Sequence, residues 1–353
     1  MAIRTIDITG IDTTGVKPGA NLIYNHGNTS FEWVSGDFTP SLKHPLQGTT
    51  SGYVAGGQFP TGNAMIQKFS FTSDGNAVDV ADLSQARGRL SGTSSDTHGY
   101  AAGGAYSGKK DTVDRFPFAS EGNATDVGEL VYTVDSTASH TDGTNGYISG
   151  GDGAPVPVYV GLVQRFPFSS SITASDVGDF TPVDISRHAG VSSTTHGYTM
   201  GGKPSASYGD RIYKFNFSAS ITSSDIGNLT QRRQELCGQT SLTHGYATGG
   251  YHSDPTSPSD QAGNIWNTID KIAFASDGDA TDVGDLPDDG GAYRVRTSSA
   301  NESTTHGYAS GGVPQVIEEI YKFPFASDTN ATDIGDLVNP QNALGGAGNM
   351  NGR

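Results

Sequence analysis

The sequence has little of what disulfide frameworks and membrane spans require. One cysteine, Cys237, stands among 353 residues, so no disulfide can form within the chain, and its setting predicts a small buried residue. No stretch approaches about 18 consecutive apolar residues. Residues 1–7 carry no apolar segment of the kind found in secretory signal peptides. We therefore expect neither membrane insertion nor Sec-dependent export.

Positive charge is also scarce. The chain has 21 Lys and Arg against 37 Asp and Glu, a net charge of −16, and a pI near 4.7. Binding to nucleic acid phosphates requires a basic patch on the protein. The excess of acidic over basic residues therefore argues against a nucleic acid partner, and equally against adsorption to anionic lipid. Net negative charge keeps a protein soluble, which is the plainest explanation of the composition.

No segment keeps the apolar spacing of an amphipathic helix, and a short motif recurs instead. Gly-Tyr-x-x-Gly-Gly occurs six times, with consecutive tyrosines 47, 47, 51, 48 and 62 residues apart. A period of about 50 residues with several short β-rich segments is typical of propeller blades rather than helical solenoids. We number the copies repeat 1 to repeat 6, and their tyrosines are Tyr53, Tyr100, Tyr147, Tyr198, Tyr246 and Tyr308.

Each repeat divides into four predicted strands. The first is small and polar, which suits the crowded axis of a propeller, and the second is the Gly-Tyr motif, ended by a glycine pair. The third carries Phe-x-Phe, whose alternation places Phe116 and Phe118 on one face. The fourth contains Asp-Val-Gly or Asp-Ile-Gly. The sequence thus predicts an all-β fold, a six-bladed β-propeller with four antiparallel strands per blade and a small N-terminal β appendage.

The repeat resembles the kelch repeat, in which a Gly-Gly pair closes the second strand and an aromatic residue stands on the third. The resemblance covers roughly residues 46–353, but the fourth strand carries Asp-Val-Gly-Asp-Leu where kelch repeats have a Trp, so the repeat is kelch-like. Residues 305–337 contain the segment Thr-His-Gly-Tyr-Ala-Ser-Gly-Gly followed by a Phe-Pro-Phe segment. This sequence is also similar to repeats in structural proteins of marine tailed bacteriophages.

The chain is expected to divide into two parts. Residues 1–43 do not match the repeat and read as short strands, either an attachment and assembly segment or an appendage that packs on the propeller. Residues 44–353 form the predicted propeller. Its first blade lacks a full first strand, and residues 342–353 have the small-residue character of one. We expect this C-terminal stretch to join blade one and remove an open sheet edge.

Two kinds of connection alternate within each repeat. The loop after the second strand and the link into the next repeat vary, and they emerge on one side, the variable face; nearly constant turns emerge on the opposite, constant face. Exposed aromatic side chains in variable loops suit carbohydrate stacking or protein contact, although some are equally expected to cover blade edges. The candidates are Tyr106, Lys109, Lys110, Tyr159, Tyr208, Tyr251, His252, Trp266, Tyr293 and Arg294.

Three repeated sets of polar residues favour structural roles. A histidine precedes the Gly-Tyr motif in four repeats, but equivalent positions lie about 10 Å or more apart, too far to share a zinc ion, so we expect hydrogen bonds within the turn. A base on each third strand and an acid on each fourth predict a cross-strand ion pair or a bond to a turn. The Asp-rich turns at 276–282 and 327–333 could accept calcium or simply form Asx turns.

Signatures of propeller enzymes are missing from the sequence. No Asp-Gly turn continues into a sialidase-type box ending in Trp, and only Cys237 could serve the Tyr-Cys pair of a copper oxidase. The nucleophile elbow, the phosphate loop and His-Glu-x-x-His are absent. We therefore expect a protein that is not an enzyme and uses no cofactor, with calcium at the Asp-rich turns left open.

One function and two alternatives follow. The residues favour a non-enzymatic propeller, and the phage resemblance implies a structural or host-recognition protein of the virion, in a tail fibre, collar or capsid decoration. Its expected partners are other virion proteins, bound through residues 1–43 and the variable loops, and a host surface glycan or protein; the chain could also form a homo-oligomer. The alternatives are a free lectin-like protein and a glycan lyase or hydrolase, which predicts acids and bases converging at one end of the channel.

Overall fold

A computed structural model describes residues 21–25, 30–34, 47–57, 61–154, 161–179, 184–204, 209–218, 220–252, 264–287, 296–313, 317–339 and 350–352. This part of the chain is all-β and contains no helix, hence no helix that could cross a membrane. The chain divides into two compact units, Met1–Lys43 and His44–Arg353. In the first unit Asn21–Asn25 pairs antiparallel with Ser30–Val34.

The second unit contains six sets of four antiparallel strands, one set for each repeat, and we call each set a quartet. The first strands are Met350–Gly352, Ser91–Ser94, Ala138–Thr141, Ala189–Ser192, Cys237–Thr240 and Arg296–Glu302. The second strands are Ser51–Ala55, His98–Ala102, Asn145–Ser149, His196–Met200, His244–Thr248 and His306–Val313. The third strands are Met65–Ser70, Lys110–Pro117, Leu162–Pro167, Arg211–Asn216, Thr268–Ala273 and Ile317–Pro324. The fourth strands are Val78–Asp82, Thr125–Asp135, Ser175–Asp179, Ile221–Asn228, Thr281–Asp285 and Thr332–Asp336.

The quartets form a propeller-like arrangement of sheets. Four sheets contain one quartet each, those of repeats 1, 2, 5 and 6. The quartets of repeats 3 and 4 share an eight-stranded sheet, because Ser175–Asp179 pairs in parallel with Ile221–Asn228. Short additional strands lie on the variable-face loops and links and in one turn: Asp152–Ala154, Ile172–Thr173, Ile185–Ser186, Lys203–Pro204, Tyr251–His252 and Asn264–Ile265. The expected all-β, propeller-like class is confirmed.

The Gly-Tyr-x-x-Gly-Gly motif has a steric explanation. The Phe116 ring lies against Gly99, where an added Cβ would approach its Cζ to 2.4 Å, so only glycine fits before the tyrosine. The glycine pair at the end of the strand turns the chain with positive φ, 65° at Gly103 and 98° at Gly104. The first glycine of the motif therefore lets the phenylalanine ring lie against the strand, and the glycine pair ends the strand and turns the chain away from the sheet.

One aromatic contact links every quartet to the next. The motif tyrosine is buried, and its ring packs on the phenylalanine that follows the third strand of the next repeat, with centroids 4.7–4.9 Å apart. The pairs are Tyr53 with Phe118, Tyr100 with Phe168, Tyr147 with Phe217, Tyr198 with Phe274, Tyr246 with Phe325, and Tyr308 with Phe71. The last pair joins repeat 6 to repeat 1.

The C-terminal strand supplies the first strand of repeat 1. Met350–Gly352 lies antiparallel to Ser51–Ala55, and Met350 is fully buried opposite Tyr53. Asn301 of repeat 6 binds both strands, because its Nδ2 donates to the carbonyl oxygens of Tyr53 at 3.2 Å and Met350 at 3.1 Å. Residues 342–349 of the predicted closing stretch lie outside the described residues. Cys237, expected to be small and buried, is 3% exposed in a first strand.

Ending the chain at residue 349 should destabilise the second unit. The truncation removes buried Met350 and leaves the backbone of Ser51–Ala55 unpaired on one side. We expect the free energy of unfolding to fall by about 3 kcal/mol or more in chemical denaturation. The matched control ends at Gly352 and should unfold like the full chain; equal midpoints for both truncations would contradict the role of this strand.

Candidate functional site

Tyr106 and Lys109 lie in one variable-face loop that touches two neighbouring repeats. Tyr106 is 43% exposed, and one side of its ring packs on Gly62 of repeat 1, where an added Cβ would meet the ring at 2.5 Å. Lys109 reaches the other way, because its Nζ donates to the carbonyl oxygen of Gly153 in repeat 3 at 3.0 Å. Lys110 begins the third strand. This loop therefore bridges repeats while presenting part of an aromatic ring to solvent.

The long insertion of repeat 5 is anchored at both described ends. Tyr251 exchanges two backbone hydrogen bonds of 2.9 Å with Gln234, and Tyr251–His252 pairs with Asn264–Ile265. His252 is only 2% exposed, so its imidazole is not presented to solvent, whereas Tyr251 and Trp266 are half-buried. The remaining candidates, Tyr159, Tyr208, Tyr293 and Arg294, lie outside the described residues.

Further exposed apolar side chains belong to the variable face. Val131 and Tyr132 are 44% and 42% exposed near the end of the long fourth strand of repeat 2, and Val338 is 45% exposed after the fourth strand of repeat 6. Sequence reasoning missed the first two because it ended the fourth strand of repeat 2 at Leu130. The strand in fact continues to Asp135, and the apolar and β-branched residues after Leu130 were the available signal.

Backbone hydrogen bonds connect the links of successive repeats where they enter the first strands. Four links, those after repeats 1 to 4, each place a non-glycine residue at positive φ, namely Arg89, Ser136, Arg187 and Glu235, with φ of 55–58°. The N–H of Ser136 donates to Arg89, that of Arg187 to Ser136, and that of Glu235 to Arg187, over 2.8–3.0 Å. We call these four residues the mouth. The strained backbone of Ser136 and Arg187 is held by neighbours on both sides, and that of Arg89 and Glu235 by one neighbour each.

Charged side chains of both signs surround the mouth. Arg187 places Nη1 2.9 Å from Oε1 of Glu235 and Nη2 4.0 Å from Oδ2 of Asp152. Asp135 accepts a hydrogen bond of 2.8 Å from the hydroxyl of Ser136. Burial raises the pKa of Asp135, and the carboxylate of Asp152 raises it further. The positive charges of Lys109 and Arg89 oppose this increase in the pKa of Asp135. Both side chains therefore lie close enough to interact electrostatically with its carboxylate.

Two fully buried arginines fasten the links after repeats 1 and 4. Arg87 pairs with Asp114 at 2.8 Å and donates to the carbonyl oxygens of Gly103 and Ala101 at 2.8 and 3.0 Å. Arg233 pairs with Asp270 at 2.9 Å in the equivalent place. Sequence reasoning missed both pairs. The signal was available, because Asp stands before the third-strand base only in these two following repeats.

The propeller axis is polar but narrow. A cavity of about 20 Å³, room for a single water molecule, lies among Ser91, Thr137 and His188. His140 is fully buried, with Nε2 2.8 Å from the hydroxyl of Ser149. Burial lowers the pKa of His140 to about 4 and that of His188 to about 3. Burial also raises the pKa of Glu302, whose Oε1 accepts a hydrogen bond from Asn351.

On the constant face, ion pairs connect neighbouring repeats. The third-strand lysine binds a carboxylate in the turn before the fourth strand of the next repeat, and the cross-strand pairing within one repeat is found only for Arg211 and Asp225 among the described residues. The pairs are Lys68 with Glu121, Lys214 with Asp277, Lys271 with Asp328, and Lys322 with Asp74. Fourth-strand acids instead accept the N–H of a bulge glycine, as Asp126 does from Gly128 at 3.1 Å.

The Asp- and Asn-rich turns also bind the preceding repeat. Asp279 Oδ1 accepts the N–H of Asn228 at 2.9 Å, and Asn330 Oδ1 accepts that of Asp285 at 3.0 Å. Lys214 and Lys271 hold the neighbouring acids of the same turns. These contacts explain the polar turns as connections between repeats. Calcium remains only a proposal there.

The repeated histidines have the role expected of them. His98 Nδ1 lies 2.8 Å from the hydroxyl of Thr97, and His196, His244 and His306 make the same contact with the preceding threonine. The expected hydrogen bond within the turn is confirmed. Within the described ranges, no group of three or more His, Cys, Asp or Glu side chains could hold a metal ion.

Comparison with known proteins gives no family. No family model matches the sequence, and a search of curated proteins finds no match. The fold and the side chains of its two faces are therefore what indicate the function.

Replacing Arg87 by Met should strongly destabilise the protein. The variant leaves Asp114 fully buried without its counter-ion, which typically costs about 3–5 kcal/mol of unfolding free energy. Adding Asp114→Leu should restore part of this loss. Lys214→Met, which breaks a pair with the exposed carboxylate of Asp277, should cost less than about 1 kcal/mol. Similar losses for Arg87→Met and Lys214→Met in urea denaturation would refute the role of the buried pair.

The buried histidines predict a pH dependence of stability. His140 ionises near its ordinary pKa of 6.5 when unfolded but only near about 4 when folded, so the unfolded chain binds the extra proton between these values. Stability is therefore present above pH 6.5 and is lost as the pH falls towards 4, by about 1.4 kcal/mol per pH unit for each such histidine. His140→Gln should lower this slope by one proton, and the control His98→Gln should change it less. An unchanged slope in His140→Gln would contradict the burial argument.

Proposed function

We propose that the six quartets close into one six-bladed, kelch-like propeller comprising residues 44–353. The repeated tyrosine–phenylalanine contact supports this, because the pair of Tyr308 and Phe71 joins the last repeat to the first. The pairing of Met350–Gly352 with Ser51–Ala55 supports the same closure. Residues 1–43 are then a separate segment that attaches the propeller to its site of assembly.

The propeller acts in this proposal as a non-enzymatic binding component that uses its variable face. The observation that carries it is the half-exposed Tyr106, held between two neighbouring repeats by Gly62 and Lys109. Tyr132 and Val338 add exposed apolar surface to the same face. Aromatic rings held on a rigid base provide contact area at small conformational cost, which suits a glycan or a protein partner.

The similarity of the repeat to phage structural repeats extends the proposal to a virion protein of a tail fibre, collar or capsid decoration. Mass spectrometry of density-purified particles, counted against the major capsid protein, tests this directly. The chain should appear at a fixed number of copies per particle. Detection only in the soluble fraction would refute particle membership and favour a free lectin-like protein.

The variable face can be tested separately on a glycan array. If it contacts sugar, Tyr106→Ala combined with Tyr132→Ala should lower retention of the protein by about tenfold or more. Leu242→Ala is the matched control, because Leu242 is 45% exposed but lies in a constant-face turn. Equal losses in both variants would place the contact elsewhere.

A glycan lyase or hydrolase is the second candidate, favoured by the charged side chains around the mouth. The alternative requires acids and bases that converge at one end of the channel, and Asp135, Asp152 and Glu235 stand there with Arg89, Lys109 and Arg187. The raised pKa of Asp135 suits proton transfer. Turnover of polysaccharide that is lost in Asp135→Asn, with folding intact, would replace the binding proposal by this one.

A further inference from the structure

Junctions between repeats on the constant face follow a rule that two of them break. In repeats 1, 4, 5 and 6, the third-strand base is lysine, and the next turn supplies its carboxylate from Glu121, Asp277, Asp328 and Asp74 respectively. In repeats 2 and 3 the base is Arg115 or Arg165, and the turn position that should supply the acid is Ser171 or Ser220. The following turn therefore leaves both arginines without the usual counter-ion.

The serine turns also have their own shape. Ser169 Oγ donates to the carbonyl oxygen of Ser171 at 2.6 Å, and Ser218 Oγ makes the equivalent bond with Ser220 at 2.7 Å. Ile172–Thr173 then pairs in parallel with the fourth strand of repeat 2. The turn of repeat 3 is thus drawn towards its neighbour without offering a carboxylate to Arg115.

A pocket of about 420 Å³ opens at the junction of repeats 2 and 3. Arg115 and His98 line it with Asp96 and Thr144, and the stacked rings of Tyr100 and Phe168, 4.8 Å apart, form an apolar side. Arg115 is half-buried and lies close enough to the Tyr100 hydroxyl to oppose the rise that burial causes in its pKa. Its guanidinium is therefore positioned by the protein rather than free in solvent. The volume falls in the range of small-molecule sites.

The next junction provides an internal comparison. There the Tyr147 hydroxyl donates to the carboxylate of Asp142 at 2.9 Å, and Arg165 binds the same tyrosine hydroxyl. The position of Asp142 is taken by Ser95 in repeat 2. Arg165 thus has the carboxylate of Asp142 nearby, whereas the equivalent position in repeat 2 is a serine, and the carboxylate that lines the pocket with Arg115 is that of Asp96.

We propose that this pocket binds the carboxylate of an acidic sugar, with Arg115 as its anion-binding group. A guanidinium offers two parallel N–H donors that match a planar carboxylate. The hydroxyl of Thr144 can donate to or accept from sugar hydroxyls, and the Tyr100–Phe168 side can contact the apolar face of the ring. Asp96 repels a second anionic group, so a sugar with a single carboxylate fits better than a phosphate dianion. This site lies on the constant face and does not depend on the variable face or on particle membership.

Titration of the full-length protein with glucuronic acid, followed by calorimetry or NMR shift changes, tests the proposal. Glucose and inorganic phosphate serve as the neutral and small-anion probes. The native chain should bind glucuronate with a dissociation constant of about 1 mM, the weak affinity of a single sugar, and glucose and phosphate more weakly. Arg115→Gln should weaken glucuronate binding about tenfold or more, and the matched control Arg165→Gln should bind as the native chain does.

A second variant supplies the missing acid without removing the arginine. Ser171 is exposed, so Ser171→Asp should fold normally while giving Arg115 the counter-ion found at other junctions, and it should weaken glucuronate binding. Ser220→Asp is its control at the next junction. The proposal is overturned if the native chain binds no glucuronate at 20-fold above about 1 mM, if phosphate binds as tightly, or if Arg115→Gln or Ser171→Asp retains native affinity.

Discussion

The contact between the tyrosine of one repeat and a phenylalanine of the next is the interaction on which the second unit depends. The tyrosine belongs to a second strand and the phenylalanine follows a third strand of the next repeat, so the contact joins two quartets. Gly99 and its equivalents allow the neighbouring phenylalanine of the same sheet to lie flat against the backbone, which brings the rings together. A quartet alone would expose half of this aromatic surface, so each repeat is stable only beside its neighbours.

Polar contacts reinforce the same junctions in three places: between the first strands, at the mouth and on the constant face. Near the axis, the first strands are connected by side chains such as Ser91, whose hydroxyl donates to the carbonyl oxygen of Thr137 at 2.9 Å. At the mouth, backbone bonds run between successive links, and on the constant face lysines bind the next turn. The described cavity between the first strands has room for a single water molecule, so we look for function on the two faces, where loops and turns differ between repeats.

The all-β, propeller-like class was readable from the sequence because its information is local and repeated. Spacing, the glycine pair and the alternation in Phe-x-Phe each report on one repeat, and the pattern recurs in six copies. Contacts between blades were harder to predict. The pairing of Lys271 with Asp328 joins residues far apart in the chain, so the sequence alone left open whether the base pairs with a fourth-strand acid or binds a turn. Buried Arg87 was missed because arginine in a polar link is ordinarily expected in solvent. His252 is buried in a short hairpin that no local sequence pattern predicts.

Amide hydrogen exchange, resolved strand by strand, tests the closed ring most directly. If the contacts between repeats make one cooperative unit, the second strands of all six repeats should exchange with nearly the same opening free energy, close to that of global unfolding. Ser51–Ala55 is the decisive strand, because it is held by Met350–Gly352 and by the junction of repeats 6 and 1. Protection there equal to that of His196–Met200 is the predicted result. Exchange of Ser51–Ala55 through a much smaller opening free energy would contradict a closed propeller.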